Sequence, residues 1–116
     1  MLTLYGIPNC DTVKKARAWA AGVEVLFHDY RKQGVPDALA DWVAAKGWET
    51  LLNRAGTTFR ALPEAERQGL DAAAALALMR AQPAMIKRPV LAGHTPSGAA
   101  VLLVGFKPDI WAAALG

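Results

Sequence analysis

A single cysteine, Cys10, stands where an apolar, strand-like run gives way to a basic helical pattern. Residues 2–5 read as a short strand, Gly6, Ile7, Pro8 and Asn9 as a turn, and residue 12 onward as a helix. The thiol therefore falls at or just before a helix start. Unpaired backbone N–H groups and the positive end of the helix dipole favour a thiolate there, and the thiolate is the nucleophilic form. Lys14, one turn further on, adds positive charge, while the adjacent Asp11 works against it. A lone cysteine is more often a small buried hydrophobe, but a strand-to-helix turn with Pro8 two residues ahead of the thiol reverses that preference. Cys10 is the candidate catalytic residue.

Val13 occupies the position that would complete a C-x-x-C pair, and the chain has no second cysteine. A dithiol cycle within one chain is thereby excluded, and turnover on Cys10 requires a thiol from outside. The chemistry left is attack on an electrophilic sulfur or on an oxyanion such as arsenate. Two arginines form a second constellation. Arg54 follows Leu51, Leu52 and Asn53 near a helix end, and Arg88 directly precedes Pro89 at the start of a strand. Any one arginine taken singly is better read as a solvated side chain. A proline that opens a strand beside a reactive thiol, however, is a place where a cis bond exposes backbone to a substrate chain.

Other residue types point to no chemistry. His28 and His94 are far apart and lack metal-ligand spacing, so no metal site is expected. The tryptophans at 19, 42, 48 and 111 fall in helical patterns and read as core or groove-lining. The glycines form no phosphate-binding fingerprint, and no bound cofactor is implied. The net charge of +3 is spread along the chain instead of gathered into a block. That pattern suits a small anionic ligand better than a polyanion, so direct DNA binding is not expected. No signal peptide or membrane-spanning stretch is visible, and one unpaired cysteine fits a reducing cytoplasm.

These residues need elements to position them. A strand at 2–5, a helix at 12–21 ended by Gly22, and a strand at 23–28 make a right-handed βαβ unit with parallel strands. Pro36 then opens a helix to about Lys46, ended by Gly47, and residues 48–52 start another. A connector at 57–62, one helical turn at 63–69 and an Asp71-capped helix to about Arg80, stopped by Pro83, complete an all-helical insertion of about 32–83. Strands at 89–92 and 100–103 flank the turn-rich residues 93–98 as a hairpin, and a helix closes the chain at 108–115. The expectation is one α/β domain with a mixed four-stranded sheet and helices on both faces.

Five segments in order, YGIPNCDTVKKA (5–16), DYRKQG (29–34), LLNRAGTTFR (51–60), MIKRPVL (85–91) and LVGF (103–106), resemble the arsenate reductase/Spx family, in particular its YffB-like branch. The resemblance implies a thioredoxin-like fold with a helical insertion. It also implies a nucleophilic cysteine at Cys10, an arginine of the insert at Arg54, and an arginine before a cis-proline at Arg88 and Pro89. Asn9 and Lys14 join these as candidate anion- or glutathione-binding residues. Glutathione is the implied co-substrate and glutaredoxin a candidate partner. Two departures from arsenate reductases stand out. The third oxyanion-binding arginine is missing after the last strand, where Lys107 lacks the planar fork, and Tyr5 and Gly6 stand where a histidine would open the loop. Losing one charge-assisted clamp weakens anion binding by about 1.5–3 kcal/mol. The surviving groups therefore imply a glutathione-dependent thiol reductase, with arsenate reduction as an alternative. The other alternative is a Spx-like regulator that binds RNA polymerase, although Val13 removes that branch's C-x-x-C switch.

Overall fold

The computed structural model describes residues 2–8, 10–20 and 25–115 of the 116-residue chain. The chain divides into two compact units, Met1–Gly34 together with Arg88–Gly116, and Val35–Lys87. The first unit is built on four strands, β1 (Leu2–Gly6), β2 (Val25–Asp29), β3 (Val90–His94) and β4 (Ala100–Val104), in the order β2-β1-β3-β4. β1 pairs parallel with β2, and antiparallel with β3, which continues antiparallel to β4. The mixed four-stranded sheet expected from the sequence is thus present.

Among the described residues this unit carries the helices α1 (Asp11–Trp19), the short α2 (Tyr30–Gln33) and α8 (Pro108–Leu115). Leu2 and Leu4 on β1, Ala16 on α1, Leu91 on β3, Val101 on β4 and Trp111 on α8 form its buried cluster. Alternation along β1 fixes the register. Leu2 and Leu4 are buried while Thr3 and Tyr5 point the other way, and a one-residue slip would exchange the two sets. Each leucine contributes roughly 1.5–3 kcal/mol by its burial, so the slipped pairing is strongly disfavoured. Gly22 and the first residues of the expected strand at 23–28 lie outside the described residues.

Two short helices add to the sequence reading. Residues 29–34, to which the sequence reading gave no element of their own, contain α2, because buried Asp29 ends β2 and its Oδ1 accepts a hydrogen bond from the Arg31 N–H at 2.8 Å. The strand's last residue is also the helix N-cap, and four residues are too few to show a period. Trp19, read as core or groove-lining, is 37% exposed at the end of α1. It still packs edge-on against Trp111 with ring centroids 5.9 Å apart.

The second unit is helical, with α3 (Ala38–Lys46), α4 (Trp48–Leu51), α5 (Thr57–Arg60), α6 (Glu64–Arg67) and α7 (Ala72–Ala81), followed by a 3-10 turn at Pro83–Met85. The expected connector at 57–62 contains α5, which buries Phe59. Its start lacks a side-chain cap, the signal a sequence reading depends on. Gly47 ends α3 at φ 87°, a left-handed conformation that glycine adopts without steric cost. Asp71 caps α7 as expected, its Oδ1 accepting from the Ala74 N–H at 2.8 Å.

Candidate functional site

Strand pairing decides which loops meet. Tyr5 of β1 pairs with Val90 of β3, Gly6 with Asp29 of β2, and Val90 in turn with Val104 of β4. The end of β1, the end of β2, the start of β3 and the end of β4 therefore share one end of the sheet. Cys10 follows β1, Tyr30 follows β2, Arg88 and Pro89 precede β3, and Gly105 follows β4. Four stretches distant in sequence thus converge there.

Cys10 is the N-cap of α1, with extended backbone at φ −91° and ψ 125°. Its N–H donates to the Ile7 carbonyl at 3.2 Å, which closes the turn, and its own carbonyl accepts from the Lys14 N–H at 3.0 Å. The thiol makes no capping hydrogen bond, and the residue is partly exposed. Lys14 points from the exposed side of the first helical turn. Gly6 keeps this loop close to the helix. A Cβ at that position would lie 2.8 Å from Cγ2 of Val13, so the residue that replaces the second thiol of a C-x-x-C pair is the one packed against β1. Asn9 lies outside the described residues.

The Arg88–Pro89 peptide bond is cis, as the resemblance implied. Pro89 is buried and Arg88 half-buried. The Pro89 carbonyl is held from the neighbouring strand's end, accepting from the Gly105 N–H at 2.8 Å. Gly105, at φ 77°, in turn accepts at its carbonyl from Nε1 of buried Trp111, 3.1 Å away. A chain of two hydrogen bonds thereby fastens the cis-proline loop to α8. Sequence reasoning missed this brace, since neither Gly105 nor Trp111 carries a motif that announces it.

Three aromatic rings gather beside this end of the sheet. The His28 and Tyr5 centroids are 4.9 Å apart, and Tyr30 lies 6.3 Å from Tyr5 and 6.0 Å from His28. His28 is structural, with Nε2 2.8 Å from the Gly34 carbonyl oxygen. Burial pushes the Tyr30 phenol far above the ordinary tyrosine range; Tyr5 adds to that, and the Arg88 guanidinium pulls the other way. Arg54 belongs to the helical unit. It is exposed, with its guanidinium 5.7 Å from the centroid of the Trp48 ring. Its backbone is set by the Leu52–Ile86 bridge and by the Asn53 N–H donating to the Met85 carbonyl at 2.8 Å. Among the described residues no group of His, Cys, Asp and Glu is placed to hold a metal, and no helix is long and apolar enough to cross a membrane.

A sheet of order β2-β1-β3-β4, with a cysteine opening the helix after its central parallel strand and a cis-proline opening the facing strand, defines a thioredoxin-like α/β protein. Residues 5–114 match the family model of the ArsC family, and the chain belongs to that family. Its fold is similar to that of the YFFB protein, with a TM-score of 0.89, 54% identity and complete coverage of both chains. It is also similar to an arsenate reductase (ArsC) related protein from Brucella melitensis, with a TM-score of 0.71 and 51% identity over 97% of this chain and 92% of that one. An uncharacterized protein of Haemophilus influenzae is 43% identical over 94 residues, which is 78% of this chain and 82% of that protein.

Proposed function

We propose that this protein is a glutathione-dependent thiol reductase of the cytoplasm in which Cys10 is the single nucleophile. The observation that carries the reading is a partly exposed, unpaired thiol at the start of α1, sharing a sheet end with Arg88 and the cis-proline, with Val13 in place of a resolving cysteine. In the first step the Cys10 thiolate attacks the glutathione sulfur of a mixed disulfide R–S–S–G. The Cys10–S–S–G bond forms and R–S⁻ leaves. In the second, the thiolate of a second glutathione attacks the glutathione sulfur held on Cys10, releasing oxidised glutathione and restoring the Cys10 thiolate. The two electrons that reduce R come from two glutathione sulfurs, one brought in with the substrate, and the protein ends unchanged. Arg88 is assigned to a glutathione carboxylate, where a guanidinium fork pairs in bidentate fashion, with Lys14 and Asn9 as further contacts and the cis-Pro89 turn alongside the extended ligand; Arg54 keeps the anion-binding role that the family resemblance implies for the insert.

Oxidised glutathione tests this reading. The wild-type protein is expected to gain one glutathione on Cys10, seen by mass spectrometry of the intact chain and reversed by reduced glutathione, and Cys10→Ser to gain none. A wild-type protein that stays unmodified under an excess of oxidised glutathione overturns it. The arsenate reductase-related relative favours arsenate as a second substrate class. Arsenate-dependent oxidation of glutathione that requires Cys10 would establish that activity.

A further inference from the structure

Tyr30 is 2% exposed, yet its hydroxyl has no hydrogen-bond partner among the described residues. Buried polar groups are nearly always paired, because an unmade hydrogen bond leaves the full cost of desolvation. A phenylalanine would fill the same space beside Tyr5 and His28 without that cost. Tyr30 directly follows β2, at the sheet end that carries Cys10, Arg88 and cis-Pro89, and the Arg88 guanidinium is among the charges that reach its phenol. The phenol is protonated at neutral pH, as any tyrosine is, and burial only pushes its titration further up, so the group within reach of the Arg88 charge is an O–H donor. A cation and a neutral donor side by side are complementary to an anionic oxygen. Arg88 is half-buried on a long, flexible stem, whereas Tyr30 is buried and packed within the aromatic cluster.

We propose that the Tyr30 hydroxyl is a binding residue that donates to an anionic oxygen captured by Arg88, and acquires its partner only in the ligand-bound state. The ligand group is a carboxylate or an oxyanion, either from glutathione or from a free inorganic anion. This assignment rests on Arg88 as the anion-holding residue of the proposed function, but it needs no reaction at Cys10.

The experiment compares wild type, Tyr30→Phe and Arg88→Ala in titrations with inorganic phosphate and with glutathione, read by thermal shift. Free Tyr30→Phe is expected to melt no lower than wild type, and to bind the tighter of the two ligands about tenfold more weakly, the loss for one hydrogen bond to a charged group. Binding of phosphate and glutathione alike points to a free oxyanion as a sufficient ligand, and binding of glutathione alone to its carboxylate. A second readout guards against a variant that does not fold. The chain has two tyrosines, so ζ-13C tyrosine labelling gives two signals, and the one lost in Tyr30→Phe or shielded by burial reports Tyr30. That signal is expected to move on saturation with ligand. Ligand binding with an unmoved Tyr30 signal, equal affinity of wild type and Tyr30→Phe, or no binding of either ligand by wild type overturns the proposal. Ligand binding that shifts Tyr30 while Cys10 stays unmodified by oxidised glutathione would overturn the reductase reading and leave this one standing.

Discussion

Gly6→Ala tests the packing that sets Cys10 in place. The new Cβ would fall 2.8 Å from Cγ2 and 3.3 Å from Cγ1 of Val13, about 1 Å inside ordinary contact. Val13 is fully buried, and a β-branched residue in a helix holds one preferred rotamer, so it does not turn aside. The helix must move instead, taking its N-cap Cys10 with it. Overpacking of this kind costs about 1–3 kcal/mol, and the unfolding entropy of a chain this long turns that into a melting temperature lower by roughly 4–12 °C. Val13→Ala alone removes two methyl groups and costs about 1.5–2.5 kcal/mol by lost burial. In the Gly6→Ala background the same change relieves the clash, so its cost should fall towards zero. The two substitutions should therefore couple by about 1–3 kcal/mol. Calorimetry of the four proteins gives that coupling, and the rate of Cys10 alkylation shows whether the thiol moves with the helix and returns in the double variant. A melting temperature for Gly6→Ala within about 1 °C of wild type, or an equal penalty for Val13→Ala in both backgrounds, refutes the reasoning.

Further predictions concern the rest of the scaffold. The unfolded chain loses the Tyr30 proton from about the ordinary 10.0 upward while the folded state retains it, so stability falls as pH rises above that point, by up to ~1.4 kcal/mol per pH unit for this group. Urea unfolding of wild type and Tyr30→Phe should accordingly give a difference that is constant at lower pH and declines for wild type in the alkaline range; parallel curves throughout would refute the burial effect. Asp71→Ala should cost about 0.5–2 kcal/mol by removing the cap on the Ala74 N–H, and Asp71→Asn should recover most of it, with amide exchange quickened first in α7. Trp111→Phe breaks the bond to the Gly105 carbonyl and leaves a smaller side chain, for a loss of about 1–3 kcal/mol. Its NMR shift changes should reach Gly105 and Val90 through the Pro89 carbonyl, and changes confined to α8 would show that the brace carries no coupling.

Much of this protein is local and could be read from the chain alone. The short apolar run at 2–5, the Pro8 turn and the amphipathic run after Cys10 predict strand, turn and helix without reference to anything distant. The missing thiol at Val13 excludes a dithiol cycle by composition alone. The ordered segments around Arg54, Arg88 and Pro89 likewise predict the family and its fold. What failed locally failed for a physical reason: α2 and α5 are single turns with too few residues for a helical period, and Trp19 lies on a helix whose buried side is settled by what packs on it.

Tertiary structure alone decided the rest. Hydrogen bonds across the sheet bring residues 5, 29, 90 and 104 to one end, and no local pattern encodes that pairing. The same holds for the Trp111–Gly105–Pro89 chain and for the Tyr30 hydroxyl, unpartnered among the described residues, because a hydrogen bond made or missed with a residue remote in sequence depends on the folded surroundings. The sequence determined that Cys10 can act only as a lone thiol. Packing determined what stands beside it.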